Sequence, residues 1–104
     1  PTKKVSLDFV KRYEAAFGPG SRNAFAGYSF DGVQLLDAAV PVALKKAKPG
    51  TPEFREALRD ALENVRNVVG THGVYNMSAA NHNGLDERAR VLVRVENGAW
   101  RLLK

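Results

Sequence analysis

The side chains able to do more than pack are few. His72 and His82 are the only two histidines, and both fall in stretches that read as loop. A site combining them with Asp86 or Glu87 lacks the close ligand spacing that marks a metal centre, so no metal is expected. Asn81-His82-Asn83-Gly84 reads instead as a polar turn, in which Asn and Gly take up unusual backbone angles. No cysteine is present, which removes disulfides and thiolate ligands. No Ser–His–Asp order, phosphate-binding glycine loop or carboxylate pair stands out. Nothing supports catalysis, and no cofactor is expected. Asp31 and Asp37 lie six residues apart and face different sides of a helix. Asp31, set among aromatics, is either buried against a donor or placed at a cleft rim, and burial is the better fit. Tyr13, Tyr28 and Tyr75 read as core tyrosines.

The stretch that must position these groups is Ala24 to Ala47, AFAGYSFDGVQLLDAAVPVALKKA. Phe25, Tyr28, Gly32, Leu35, Leu36, Ala39, Val40, Ala43, Leu44 and Ala47 draw a helical stripe in steps of three and four. Phe30, Val33, Ala38 and Val42 widen it until little polar surface is left. Such a helix needs cover on more than one side. Pro41 removes one backbone bond and crowds the carbonyl of Asp37, but the apolar pattern runs through it, so a kink is expected. Gly27 and Gly32 either leave room for another backbone or are simply tolerated in the helix.

Around it the chain offers little. Ser6 is the expected cap of a first helix over residues 6–17, with Leu7, Val10, Tyr13 and Phe17 on one face and Gly18 as its stop. Asn23 caps the central helix, expected over 24–47. Thr51 and Pro52 open a third helix over 52–69, where Phe54, Leu58, Ala61, Leu62, Val65 and Val68 form the buried stripe. Gly73 to Met77 reads as a short strand, and Ser78 to Arg88 as a polar loop. Arg90–Glu96 and Ala99–Lys104 form a hairpin about Asn97-Gly98, a strong type I′ signal. A two-residue loop sets the register. Glu96 faces Ala99, Val95 faces Trp100, Arg94 faces Arg101, and Val93 faces Leu102. The face carrying Val91, Val93, Val95, Trp100 and Leu102 is expected in the core. Arg94 opposite Arg101 demands a wet face or an acidic neighbour.

Length and charge set outer bounds. One domain fits in 104 residues, and 44% hydrophobic content is ordinary for a folded chain. No apolar run is long enough to span a membrane. The net charge of +5 is spread over helix ends and faces where acids alternate with bases, so no nucleic-acid partner is expected. A small basic α+β module for RNA stays as the alternative from another class, with Arg94 and Arg101 its one paired hint.

The order of these pieces resembles the carboxy-terminal end of type I periplasmic substrate-binding proteins, the leucine/isoleucine/valine-binding kind that serve ABC transporters. The matching pieces are DFVKRYEAAFG, AFAGYSFDGVQLLDAAV, EFREALRDAL, GTHGVYNMSAANHNG and VLVRVENGAW. Two departures stand out. Phe30-Asp31-Gly32 replaces a frequent Tyr-Asp-Ala, and Asn81 replaces the usual Asp before the His82-Asn83-Gly84 turn. The resemblance implies an α/β chain that is an incomplete piece of a two-lobe fold, three helices followed by a short strand and a β-hairpin. Residues 1–70 are then the helical part of one lobe, and 71–104 the crossover and closing strands. It implies a periplasmic, non-enzymatic protein that captures a small amino acid, amide or aromatic acid and delivers it to an ABC permease. A ligand-sensing ectodomain of the same fold is the alternative. Tyr28 and Asp31 are the candidate ligand contacts. The piece alone is expected to bind no ligand and, with its apolar helix uncovered, to form a homodimer.

Overall fold

The computed structural model describes residues 1–103. Three helices come first, α1 (Thr2–Phe17), α2 (Ala24–Leu44) and α3 (Pro52–Glu63), and four short strands follow. Strands β1 (Val68–Val69) and β2 (Val74–Tyr75) pair antiparallel, as do β3 (Val93–Glu96) and β4 (Ala99–Leu102). A single 3-10 turn, Glu87–Ala89, lies between the two pairs.

Helix α1 starts four residues before its expected cap. Thr2 to Val5 contains no breaker and two good helix formers, Lys3 and Lys4, so the first turn closes on the Pro1 carbonyl. Ser6 is therefore not a cap. Its Oγ donates instead to the Thr71 carbonyl at 2.6 Å, tying α1 to a distant loop. Gly18, at φ 100°, ends the helix as its sequence implies.

Asn23 caps α2, its Oδ1 accepting from the Ala26 N–H at 2.9 Å. The helix continues through Pro41 and ends at Leu44, three residues short of expectation. Lys45 and Lys46 donate to the Val42 and Ala43 carbonyls, three residues back, in tightened turns. Lys48-Pro49 then keeps the chain from resuming the helix, because a residue preceding proline is pushed out of helical geometry.

Helix α3 opens on the Thr51 cap and Pro52, but stops at Glu63 rather than residue 69. Two asparagines explain the difference. The Asn64 side chain donates to the Asp60 carbonyl at 2.8 Å, and Asn67 takes a left-handed φ of 57°. The β-branched Val68 and Val69 then pair as β1 with β2, a strand the sequence reading placed in the helix.

The core lies between α2 and α3. Ala39, Ala61 and Val65 form its buried centre, with Leu35, Leu58, Leu62, Val68 and Met77 packed around them. Small residues let the two helices approach closely; Ala43 and Ala57 are buried as well. On the other flank of α2, Phe9 of α1 packs on Phe30 with ring centroids 5.1 Å apart.

The hairpin has the expected register, Val93–Leu102 through Glu96–Ala99, turned by Asn97 and Gly98 with φ of 50° and 73°. Arg94 does lie opposite Arg101, and Glu96 answers it at 2.5 Å. The expectation of a core face fails, however. Val95 and Trp100 pair on one face but are 62% and 75% exposed, since nothing among the described residues covers them. Lys104, placed by the sequence reading in the second strand, lies outside the described residues.

The molecule measures 54 × 32 × 21 Å with a radius of gyration of 16.6 Å. A compact chain of this length reaches about 13 Å. Its accessible surface is 7878 Å², against about 5,800 Å² for a monomer of its mass. The excess goes with the elongated shape and the apolar side chains left exposed.

Candidate functional site

One turn and a half of α2 carries the site. Gly27, Tyr28 and Asp31 are spaced by three and four residues, so all three share a helix face. Opposite that face runs Gly70-Thr71-His72-Gly73, the turn joining β1 to β2 and closed by the Gly70 N–H on the Gly73 carbonyl at 2.8 Å.

Asp31 is 1% exposed and joins the two. Its Oδ1 accepts from the Thr71 N–H at 2.5 Å, and its Oδ2 from the His72 N–H at 3.1 Å. The Tyr75 hydroxyl donates to Oδ2 at 2.8 Å, and the His72 Nδ1 stands 3.2 Å from the same oxygen. A four-residue turn exposes the amide groups at its tip, and here a helix carboxylate receives them. Burial alone would push the Asp31 carboxyl up. The Thr71 amide, the Tyr75 hydroxyl and the His72 amide outweigh it and hold the carboxyl below its ordinary 3.8. Tyr75 moves the other way, raised first by burial and then by its bond to the Asp31 anion.

Two glycines give the site its closeness. A Cβ on Gly27 would stand 2.7 Å from His72 Cε1, and one on Gly70 would stand 2.6 Å from Asp31 Cγ. The room beside Gly27 lets the His72 ring lie against α2. There it stacks on Tyr28, with centroids 3.6 Å apart and planes 5° from parallel. Tyr28 remains half exposed, so the stack faces outward while Asp31 lies beneath it.

The sequence candidates thus meet, but at different depths. Of the two places open to Asp31, the structure gives burial against donors. Tyr75 is buried as a core tyrosine, whereas Tyr28 is not. His72 was set aside as a loop residue, yet it contacts both Asp31 and Tyr28. The signal for it was available: a turn bracketed by glycines between Val68-Val69 and Val74-Tyr75 needs an acceptor for its amides, and Asp31 is the buried acid.

The second histidine lies elsewhere. His82 Nε2 pairs with Glu63 Oε1 at 3.1 Å, beside a groove of about 500 Å³ floored by Leu35, Leu58, Leu62 and Met77. Its turn forms as expected, with Asn81 Oδ1 accepting from the Asn83 and Gly84 amides. Asp86 pairs with Arg88 at 2.7 Å. Among the described residues, no three His, Asp or Glu side chains gather as a metal ion requires, and no helix is long and apolar enough to cross a membrane.

No family model matches the chain, and no curated protein does. Solved structures do. Over 99% of its length the chain is similar to an extracellular ligand-binding receptor from Rhodopseudomonas palustris, at 50% identity and a TM-score of 0.87. Two such receptors from Rhodopseudomonas palustris HaA2 match at 47% and 44% identity, with TM-scores of 0.87 and 0.82. The chain covers 29% of the first two and 28% of the third, so it spans under a third of their length. Its three helices and two antiparallel strand pairs are a fragment of a two-lobe ligand-binding receptor fold, mixed α/β. The share covered is consistent with the carboxy-terminal piece implied by the sequence resemblance.

Proposed function

We propose that this chain is part of a periplasmic solute-binding protein of an ABC transporter, one that closes two lobes over a small amino acid, amide or aromatic acid and presents it to a membrane permease. In this reading residues 1–70 are the helical part of one lobe, and 71–104 supply a crossover and the closing strands. The Asp31 bonds then stitch helix to crossover. Tyr28 is the ligand-facing candidate, and Asp31 holds the turn behind it. The carrying observation is the match along 99% of the chain, at 44–50% identity, to extracellular ligand-binding receptors.

A cleft needs two walls, and a segment spanning under a third of such a receptor supplies part of one. The isolated chain is therefore expected to bind no solute and to pair with itself through its uncovered apolar faces. Calorimetry on the full-length receptor, against leucine, benzamide and benzoate, tests the reading. Binding of at least one by the receptor and of none by the isolated chain is the expected result. Micromolar binding by the isolated chain, or none by the receptor, overturns it.

A further inference from the structure

The Tyr28–His72 stack has a chemistry of its own. Two oxygens face His72 Nδ1, the Thr71 hydroxyl at 2.9 Å and Asp31 Oδ2 at 3.2 Å. An ionised carboxylate only accepts hydrogen bonds and the hydroxyl can accept as well, so a ring hydrogen on Nδ1 satisfies both. In the neutral ring that leaves Nε2 as an acceptor. Among the described residues, neither Nε2 nor the Tyr28 hydroxyl has a hydrogen-bond partner. The outer group of the stack is a phenol ring whose face carries negative potential, and the charge set behind the stack is the Asp31 anion. Acceptor, π face and buried anion all favour the same kind of visitor.

We infer that the stacked pair Tyr28–His72 receives the ammonium or amide N–H end of the solute, with Asp31 positioning His72 from below. The inference rests on the receptor reading and names the polar group recognised at this point of the cleft. A carboxylate fits poorly here, because it brings a second anion toward an acceptor nitrogen. Gly27 is part of the device: any side chain there lifts the imidazole away from the phenol.

The test is calorimetry on the full-length receptor with paired probes, leucine against 4-methylpentanoate and benzamide against benzoate. The N–H-bearing member of a pair should bind at least tenfold tighter. Tyr28→Ala and His72→Ala should each weaken it about tenfold, His72→Gln should recover part of the loss by restoring an acceptor, and Tyr28→Phe should cost threefold or less. Tyr28 is half exposed, and the His72 amide survives in either variant, so unchanged melting curves certify the fold. Equal binding of both members of a pair, or wild-type affinity in both alanine variants, overturns the inference while leaving the receptor intact. A receptor that binds none of the four probes overturns the functional reading itself.

Discussion

At the scale of residues, Asp31 carries the most consequence. Its two oxygens serve the Thr71 and His72 amides, the Tyr75 hydroxyl and His72 Nδ1. Asp31→Ala removes the acceptor and leaves buried donors unmet. The expected loss is about 3 kcal/mol in a urea titration of the full-length receptor. Asp31→Asn keeps one acceptor oxygen but turns an NH₂ toward donors, and should cost about 2 kcal/mol. The pH dependence has a definite sign. The folded carboxyl titrates below its ordinary 3.8, so the unfolded chain binds more protons in that interval. Its stabilisation is present above the ordinary value and is lost as pH falls through the folded one. Acid unfolding of the Asn variant should lack that component; identical acid profiles for wild type and variant would refute the assignment.

At the scale of elements, glycines distinguish the faces of α2. Gly27 on α2 and Gly70 in the turn opposite, both of which a Cβ would crowd, border the stack and the buried acid, whereas Gly32 of α2 has nothing within 4 Å. Gly70→Ala should cost about 3 kcal/mol, because its methyl meets a fixed carboxylate and the Tyr75 ring. Gly27→Ala should cost less, since the imidazole can swing aside. Gly32→Ala lies in a helix interior and should stabilise by about 0.5–1 kcal/mol. Thermal unfolding of the receptor orders the three, and a destabilising Gly32→Ala would reveal that another part of the receptor packs there.

Elements also show what could be read beforehand. Caps at Asn23 and Thr51, the stop at Gly18 and the Asn97-Gly98 turn were legible because each depends on neighbours a few residues away. The end of α3 was not. Val65 and Val68 continue a helical stripe in sequence, but Asn64 and Asn67 bend the backbone, and the partner of Val68 is Tyr75. The site was half legible: Asp31 was expected buried, while its donors lay in a turn whose approach to α2 is a tertiary fact. The burial of Trp100 was misread because alternation reports which side is apolar and not whether a cover exists within the same chain.

At the scale of the molecule, the exposed hairpin face and the excess surface state the same deficit. Trp100 is the sole tryptophan and is 75% exposed, so its fluorescence reports that face alone. In the full-length receptor the emission should be blue-shifted and shielded from acrylamide. The isolated chain should emit as a solvated indole when dilute and shift toward the blue with concentration as copies pair. Burying about 800 Å² of apolar surface is worth on the order of 20 kcal/mol before association costs, ample for a dimer. Sedimentation equilibrium at high micromolar concentration should give twice the monomer mass; a monomer with a cooperative melt would show that the chain closes its own core.

The bonds of Asp31 also bear on time. They reach residues 40 to 44 positions away, so they close only after α2, α3 and the β1–β2 turn are all in place. Closing such a separation costs chain entropy, so these bonds are expected to form late. The carboxylate is therefore expected to act in the descent after the folding barrier rather than in the nucleus. Its replacement should leave the refolding limb of a chevron almost unmoved and steepen escape from the native state, about 30-fold faster unfolding for a 2 kcal/mol loss. What looks like a static anchor is, in kinetic terms, a brake on opening, and it sets how long the segment stays folded once formed.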